Sequence, residues 1–221
     1  NDQFYARDNT DYGTVYYNGT IGGSPSSVFI TIYTNNGVAD VVYTNISQAP
    51  AGGNYAFTAK IKAGLVQYKL QFRSVVSGVT NLLNTVTNLV CGDAYLVDGQ
   101  SNAATADWGS DLSTNPWIRS YGRFGTGWGY ACRGTGANYD YNFAPLQIGY
   151  WEFEIASNLV ATCQMPICMI NGAVGGTRID VHLPGVVNDI NNAAIFDQLL
   201  DRVVAAKLTH GIRAVFWHQG E

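Results

Sequence analysis

Ser101 stands in the polar segment Asp98-Gly99-Gln100-Ser101-Asn102-Ala103, directly after a nearly continuous apolar run. A serine hydroxyl exposed at a strand-to-loop corner attacks an acyl carbon when a base takes its proton. The oxyanion that forms needs two or three preorganised N–H donors. The sequence offers them. Gly175 or Gly176 presents a backbone N–H closely because no side chain intervenes. Gln219 carries a side-chain amide, and Ser101 has its own backbone N–H. Taken singly, each residue has a plainer reading. Ser101 suits a helix N-cap, and Gly175-Gly176-Thr177 suits an ordinary turn, without the Lys that follows in a phosphate loop. Gln219 suits the satisfaction of backbone groups at a strand end. The final glycine of the α/β-hydrolase nucleophile elbow is also missing after Asn102.

The elements that position these residues join them. Asn88 to Val97 is an apolar run of the kind buried on both faces of a parallel sheet. Pro166 to Ile170 is a second such run, and Gly211 to Trp217 a third strand. Between them, Gly149 to Ala161 carries Trp151, Ile155 and Leu159 at helical spacing. Asn191 to Lys207 carries Ile195, Phe196, Leu199, Leu200, Val203 and Val204, an amphipathic helix. Strand, helix, strand, helix, strand is the rhythm of a doubly wound parallel α/β sheet. Ligands bind such sheets beyond the carboxyl ends of the strands. The tails starting at Asp98, Asn171 and His218 are all small and polar, and all fall on that one rim. The stretch from Asp107 to Tyr141, rich in Gly and Trp, reads as a long functional loop. Its Trp108, Trp117, Trp128 and Tyr130 could offer platforms to sugar rings or simply fill the loop.

The first 87 residues have another texture. Short β-branched and aromatic runs are broken by Asn18-Gly19, Asn35-Asn36-Gly37 and Ala63-Gly64. Tyr55, Phe57, Ala59 and Ile61 alternate with period two, as in a half-buried strand. Asn-Gly pairs favour tight hairpins. A small all-β sandwich over residues 1–87 follows, ahead of an α/β domain over 88–221.

Charged residues are only 13% of the 221, and the net charge is −4. That balance leaves no electrostatic footprint for nucleic acid, and no run approaches the roughly 18 apolar residues of a membrane span. A surface of uncharged polar groups suits a secreted, periplasmic or cell-surface protein that handles neutral sugars. Asn1-Asp2-Gln3 reads as a mature or trimmed N-terminus. The three histidines have no zinc-ligand spacing, so no metal is expected. The four cysteines allow two disulfides, with Cys163 and Cys168 close enough to pair locally, or four buried thiols.

Three blocks in register make the chain resemble SGNH hydrolases of the sialate O-acetylesterase and acetylxylan esterase kind. They are Gly92-Asp93 through Gly99-Gln100-Ser101-Asn102, then Gly175-Gly176-Thr177, then Trp217-His218-Gln219-Gly220-Glu221. The resemblance covers residues 88–221. It implies a flavodoxin-like three-layer fold and carboxylic ester hydrolysis that removes O-acetyl groups from a carbohydrate. In that scheme Ser101 is the nucleophile, Gly175 the backbone oxyanion donor and Gln219 the side-chain donor. Asn102, Gly176, Thr177, Trp217 and Glu221 support the site or bind substrate, and no cofactor is required.

One part of the pattern is missing. The family's base lies in an Asp-x-x-His block near the C-terminus, and no such block occurs here. His218 occupies the variable position of the third block, His210 precedes its strand on the opposite rim, and His182 could line the cleft. None of the three is expected to be the base. The catalytic domain is therefore expected to be incomplete at its C-terminus and inactive as an isolated segment, with a further fragment of the same protein supplying the Asp and His. The rival expectation is a non-catalytic carbohydrate-binding or adhesion protein on an esterase scaffold.

Overall fold

A computed structural model describes residues 1–35, 39–104, 112–122, 127–134, 146–188 and 194–220. It separates into two compact units, Asn1–Cys91 and Gly92–Glu221.

The first unit is all β. Its strands are β1 (Phe4–Ala6), β2 (Tyr12–Thr20), β3 (Ser27–Asn35), β4 (Asp40–Gln48), β5 (Asn54–Lys62), β6 (Gln67–Val76) and the opening part of β7 (Val79–Gly99). β2 pairs antiparallel with β5, placing Val15 opposite Ala59 and Tyr17 opposite Phe57. β3 lies antiparallel between β4 and β6, and β6 continues to β7. Strict alternation in β5 and β6 sends Phe57, Ala59, Ile61, Tyr68, Leu70 and Phe72 inward. They share one apolar core with Val28, Ile30 and Ile32 of β3. Tyr55 of one sheet and Phe72 of the other meet with ring centroids 4.6 Å apart.

Asn18-Gly19 is not the hairpin turn that the dipeptide predicts; both residues lie inside β2, with Gly19 opposite Tyr55. A Cβ on Gly19 would come within 2.8 Å of the Tyr55 hydroxyl. The glycine makes room for a cross-strand ring. Asn36-Gly37 lies outside the described residues.

The second unit is mixed α/β, with a large, mostly parallel sheet and few helices. Beyond the final part of β7 it contains α1 (Ser101–Ala104), β8 (Thr114–Tyr121), β9 (Trp128–Cys132), β10 (Leu146–Gln147), α2 (Tyr150–Cys163), β11 (Ile167–Asn171), α3 (Ile195–Ala205) and β12 (Ile212–His218). The strand order is β10-β9-β8-β11-β7-β12. Among the described residues of this unit, only β8 and β9 pair antiparallel; β11 and β12 flank β7 in parallel. The buried character expected of the first two apolar runs is present: residues 89–94 and all of β11 are buried. β12 is largely exposed.

Several expectations change here. Residues 107–141 are not one loop, because Thr114–Tyr121 and Trp128–Cys132 form strands. Ile118, Arg119 and Ser120 are fully buried in β8. A strand that buries an arginine and a serine beside one isoleucine has no apolar run for sequence reading to find. Trp117 and Tyr130 are half-buried on these strands, and Trp108 lies outside the described residues. α2 buries Glu152, Phe153, Ala156 and Val160, whereas Trp151, Ile155 and Leu159 stay half-buried. Of the six apolar residues expected on one face of α3, Ile195, Leu199 and Val203 are buried, Phe196 is half-buried, and Leu200 and Val204 are exposed. The four cysteines are free thiols: Cys163 is exposed at the end of α2 and Cys168 is buried in β11, so the local pair does not form.

Candidate active site

The three polar tails leave β7, β11 and β12 at the same end, since those strands are parallel. Adjacent tails are tied by backbone bonds. The Gln100 N–H donates to the His218 carbonyl at 3.2 Å, and the Val174 N–H to the Gly99 carbonyl at 3.1 Å. Gly99 has φ 137°, and a Cβ there would lie 2.0 Å from the His218 carbonyl oxygen. Only glycine lets the end of β7 turn this tightly beside β12.

The turn delivers Ser101 to the first position of α1, where it is exposed. Its neighbour on the next tail is Gly175: a Cβ built on Gly175 would stand 3.7 Å from both the Cα and the Cβ of Ser101. Asn102 is half-buried, and its carbonyl accepts the indole N–H of Trp151 at 2.8 Å. Gly176 is exposed with φ 74°, and Thr177 is buried. Gln219 comes in from the third tail and donates one amide hydrogen to the Thr177 carbonyl at 2.8 Å. An open cleft of about 490 Å³ is lined by Gln100, Gly176, Thr177, Arg178, Ile179, Trp217, Gln219 and Gly220. The structure thus brings together Ser101 with Gly175, and Gln219 with Thr177 and Trp217 on the cleft wall. Glu221 lies outside the described residues.

Beneath this rim lie polar groups that sequence reading missed. His182, a residue that could have lined the cleft, is buried at the end of a short 3₁₀ turn, Ile179–His182. Its Nδ1 lies 3.1 Å from Asp98 Oδ1 and 3.2 Å from Oδ2, and its Nε2 lies 2.8 Å from the Thr177 hydroxyl. Burial pushes the Asp98 carboxyl up, opposed by the Gly99 N–H and by His182. Trp217 meets the His182 ring edge to face at 5.1 Å.

A second group centres on Asn171. Its amide nitrogen lies within hydrogen-bond distance of the carbonyls of Ala103 and Ile148 and of Glu152 Oε1, at 2.7, 3.1 and 2.9 Å. Its Oδ1 accepts the Ala173 N–H. Arg202, buried on α3, donates to the Asn171 carbonyl at 2.6 Å. One side chain thus links α1, α2 and the turn that leads to Gly175. Desolvation raises the Glu152 carboxyl to about 9, so it is a neutral acid near pH 7. Among the described residues, no group of histidines, cysteines and carboxylates could hold a metal ion.

With this geometry in view, comparison with known families gives a match over residues 91–221 to the family described as carbohydrate esterase, sialic acid-specific acetylesterase. The chain belongs to this family. The esterase match includes the Ser101, Gly175 and Gln219 tails and leaves out most of the first unit. A carbohydrate acetylesterase from Xanthomonas citri is similar in fold, with a TM-score of 0.50 at 17% identity, over 99% of this chain and 49% of that one. A protein of known structure from Arabidopsis thaliana gives a TM-score of 0.41 at 18% identity, over 58% and 57% of the two chains. The chain therefore spans about half the length of the solved structures it matches. Among curated protein sequences, none matches it.

Proposed function

We propose that the protein is a serine carboxylic-ester hydrolase that removes O-acetyl groups from a carbohydrate. The observation that carries this reading is the approach of Ser101 to Gly175 at the end of β7, with Gln219 held on the same rim. Ser101 Oγ attacks the acetyl carbon and its proton passes to a base. Negative charge gathers on the carbonyl oxygen, for which the Gly175 and Ser101 N–H groups and the second amide hydrogen of Gln219 are the proposed donors. The C–O bond breaks, the protonated base returns its proton to the sugar alkoxide, and water then releases acetate from the acyl-serine. A sialic acid or a polysaccharide is the substrate class. The setting is secreted, periplasmic or cell-surface, and the second unit has the three-layer SGNH form, with the first a β-sandwich accessory domain.

The base lies outside this constellation. Both ring nitrogens of His182 are engaged by Asp98 and Thr177, so it has no lone pair to offer Ser101. In this reading the role falls to an Asp-x-x-His block supplied from elsewhere in the protein. The same fact favours the second reading, a carbohydrate-binding protein on an esterase scaffold. Hydrolysis of 4-nitrophenyl acetate by the full-length protein separates the two. The esterase reading expects turnover that Ser101→Ala removes, and a Ser101→Ala variant as active as the parent would defeat it.

A further inference from the structure

Asp98 and His182 are 84 residues apart in sequence, yet they form one buried chain with Thr177. Counting hydrogens fixes its direction. The Thr177 hydroxyl has a single hydrogen, and its oxygen lies 2.6 Å from the Val174 carbonyl oxygen. A carbonyl only accepts, so that hydrogen is spent there. The Thr177 oxygen must then accept from His182, which requires a hydrogen on Nε2. On the other side of the ring, Nδ1 and Asp98 share one more proton, as an ion pair or as neutral acid and imidazole. Either form has the same proton count and the same geometry.

The chain ends at the cleft. The Thr177 hydroxyl is held by the Val174 carbonyl and His182, and the Thr177 carbonyl accepts the Gln219 amide. The His182 ring also buttresses Trp217, two residues before Gln219 on the same tail. Two separate contacts from one imidazole therefore bear on the direction in which Gln219 points.

We propose that Asp98 and His182 are positioning residues for the side-chain oxyanion donor, acting through Thr177 and Trp217 on Gln219. This inference rests on the esterase reading of Ser101 and Gln219. A donor must meet the oxygen as it becomes charged, and a displacement of about 1 Å costs on the order of 100-fold in rate. Loss of the buried chain should therefore lower kcat and leave KM nearly unchanged, because the acetyl carbonyl gains its charge only in the transition state.

The test is a double-mutant cycle with 4-nitrophenyl acetate on the full-length protein. Gln219→Ala is expected to lower kcat about 100-fold, as for loss of one oxyanion donor. Asp98→Asn and His182→Gln are expected to lower it about tenfold with KM held within about twofold. In the Gln219→Ala background both should lose their effect, since the group they aim is gone. Additive losses, or a raised KM at constant kcat, would overturn the positioning role while leaving the esterase reading in place. Full activity in Gln219→Ala would overturn the reading of Gln219 itself, and the inference with it. Ring ¹⁵N shifts of His182 in the unmutated protein give a check that needs no variant to fold. Nε2 should be protonated, and an Nε2 without hydrogen would overturn the chain of donors.

Discussion

The two units bury polar groups in very different numbers. Among the described residues, the first buries Thr31 and Ser74. The second buries Asp93, Asp98, Arg119, Ser120, Glu152, Asn171, Thr177, His182, Asn188 and Arg202. A buried polar group costs free energy unless it is hydrogen-bonded, and a charge costs more. The first unit avoids the cost with aromatic and aliphatic residues at alternate positions, so its stability is a matter of packing. The second accepts the cost, and several of these groups fix the tails that carry Ser101, Gly175 and Gln219. Buried polarity thus marks where backbone position matters more than stability.

That contrast can be broken by substitution. The largest stability effect is expected in the first unit. Phe72→Ala removes a ring that touches Tyr17, Tyr55 and Phe57. It should cost about 3–5 kcal/mol of unfolding free energy in denaturant melts. The kcat of the molecules that remain folded should not change. A drop in kcat with no loss of stability would erase the distinction between the units.

A smaller effect sharpens the other side. Glu152 is buried with a carboxyl raised from 4.5 to about 9. The folded state keeps a proton that the unfolded chain releases, so the contribution to stability is complete below about pH 4.5 and fades up to about pH 9. Between those limits stability should fall with rising pH, with a slope of up to about 1.4 kcal/mol per pH unit. Glu152→Gln should flatten the profile in urea melts at pH 5, 7 and 8.5. Equal slopes in the two proteins would show that Glu152 does not carry the proton.

The strand tails were legible because their chemistry is local. Apolar runs end in Gly, Ser, Asn and Gln, and parallel topology sends those ends to one rim. β5 was legible from its period of two. What escaped depends on distance in sequence. Nothing near Asp98 signals a partner at His182, and nothing near Asn171 signals the Glu152 carboxyl that it meets. β8 escaped because its inward residues are partly polar. The length of β7 escaped because an exposed antiparallel part and a buried parallel part run on as one strand, and the change in texture reads as a boundary. Local turn propensity also misled at Asn18-Gly19, where the space needed by Tyr55 decides.

Covalent labelling tests the central claim most directly. A fluorophosphonate probe traps a serine that is both activated and faced by oxyanion donors, and the adduct can be mapped to a peptide. On the folded full-length protein the account predicts label on Ser101, lost in Ser101→Ala and much slowed in Gln219→Ala. Label on another serine, or none on Ser101 while the protein is folded and hydrolyses 4-nitrophenyl acetate, would contradict it.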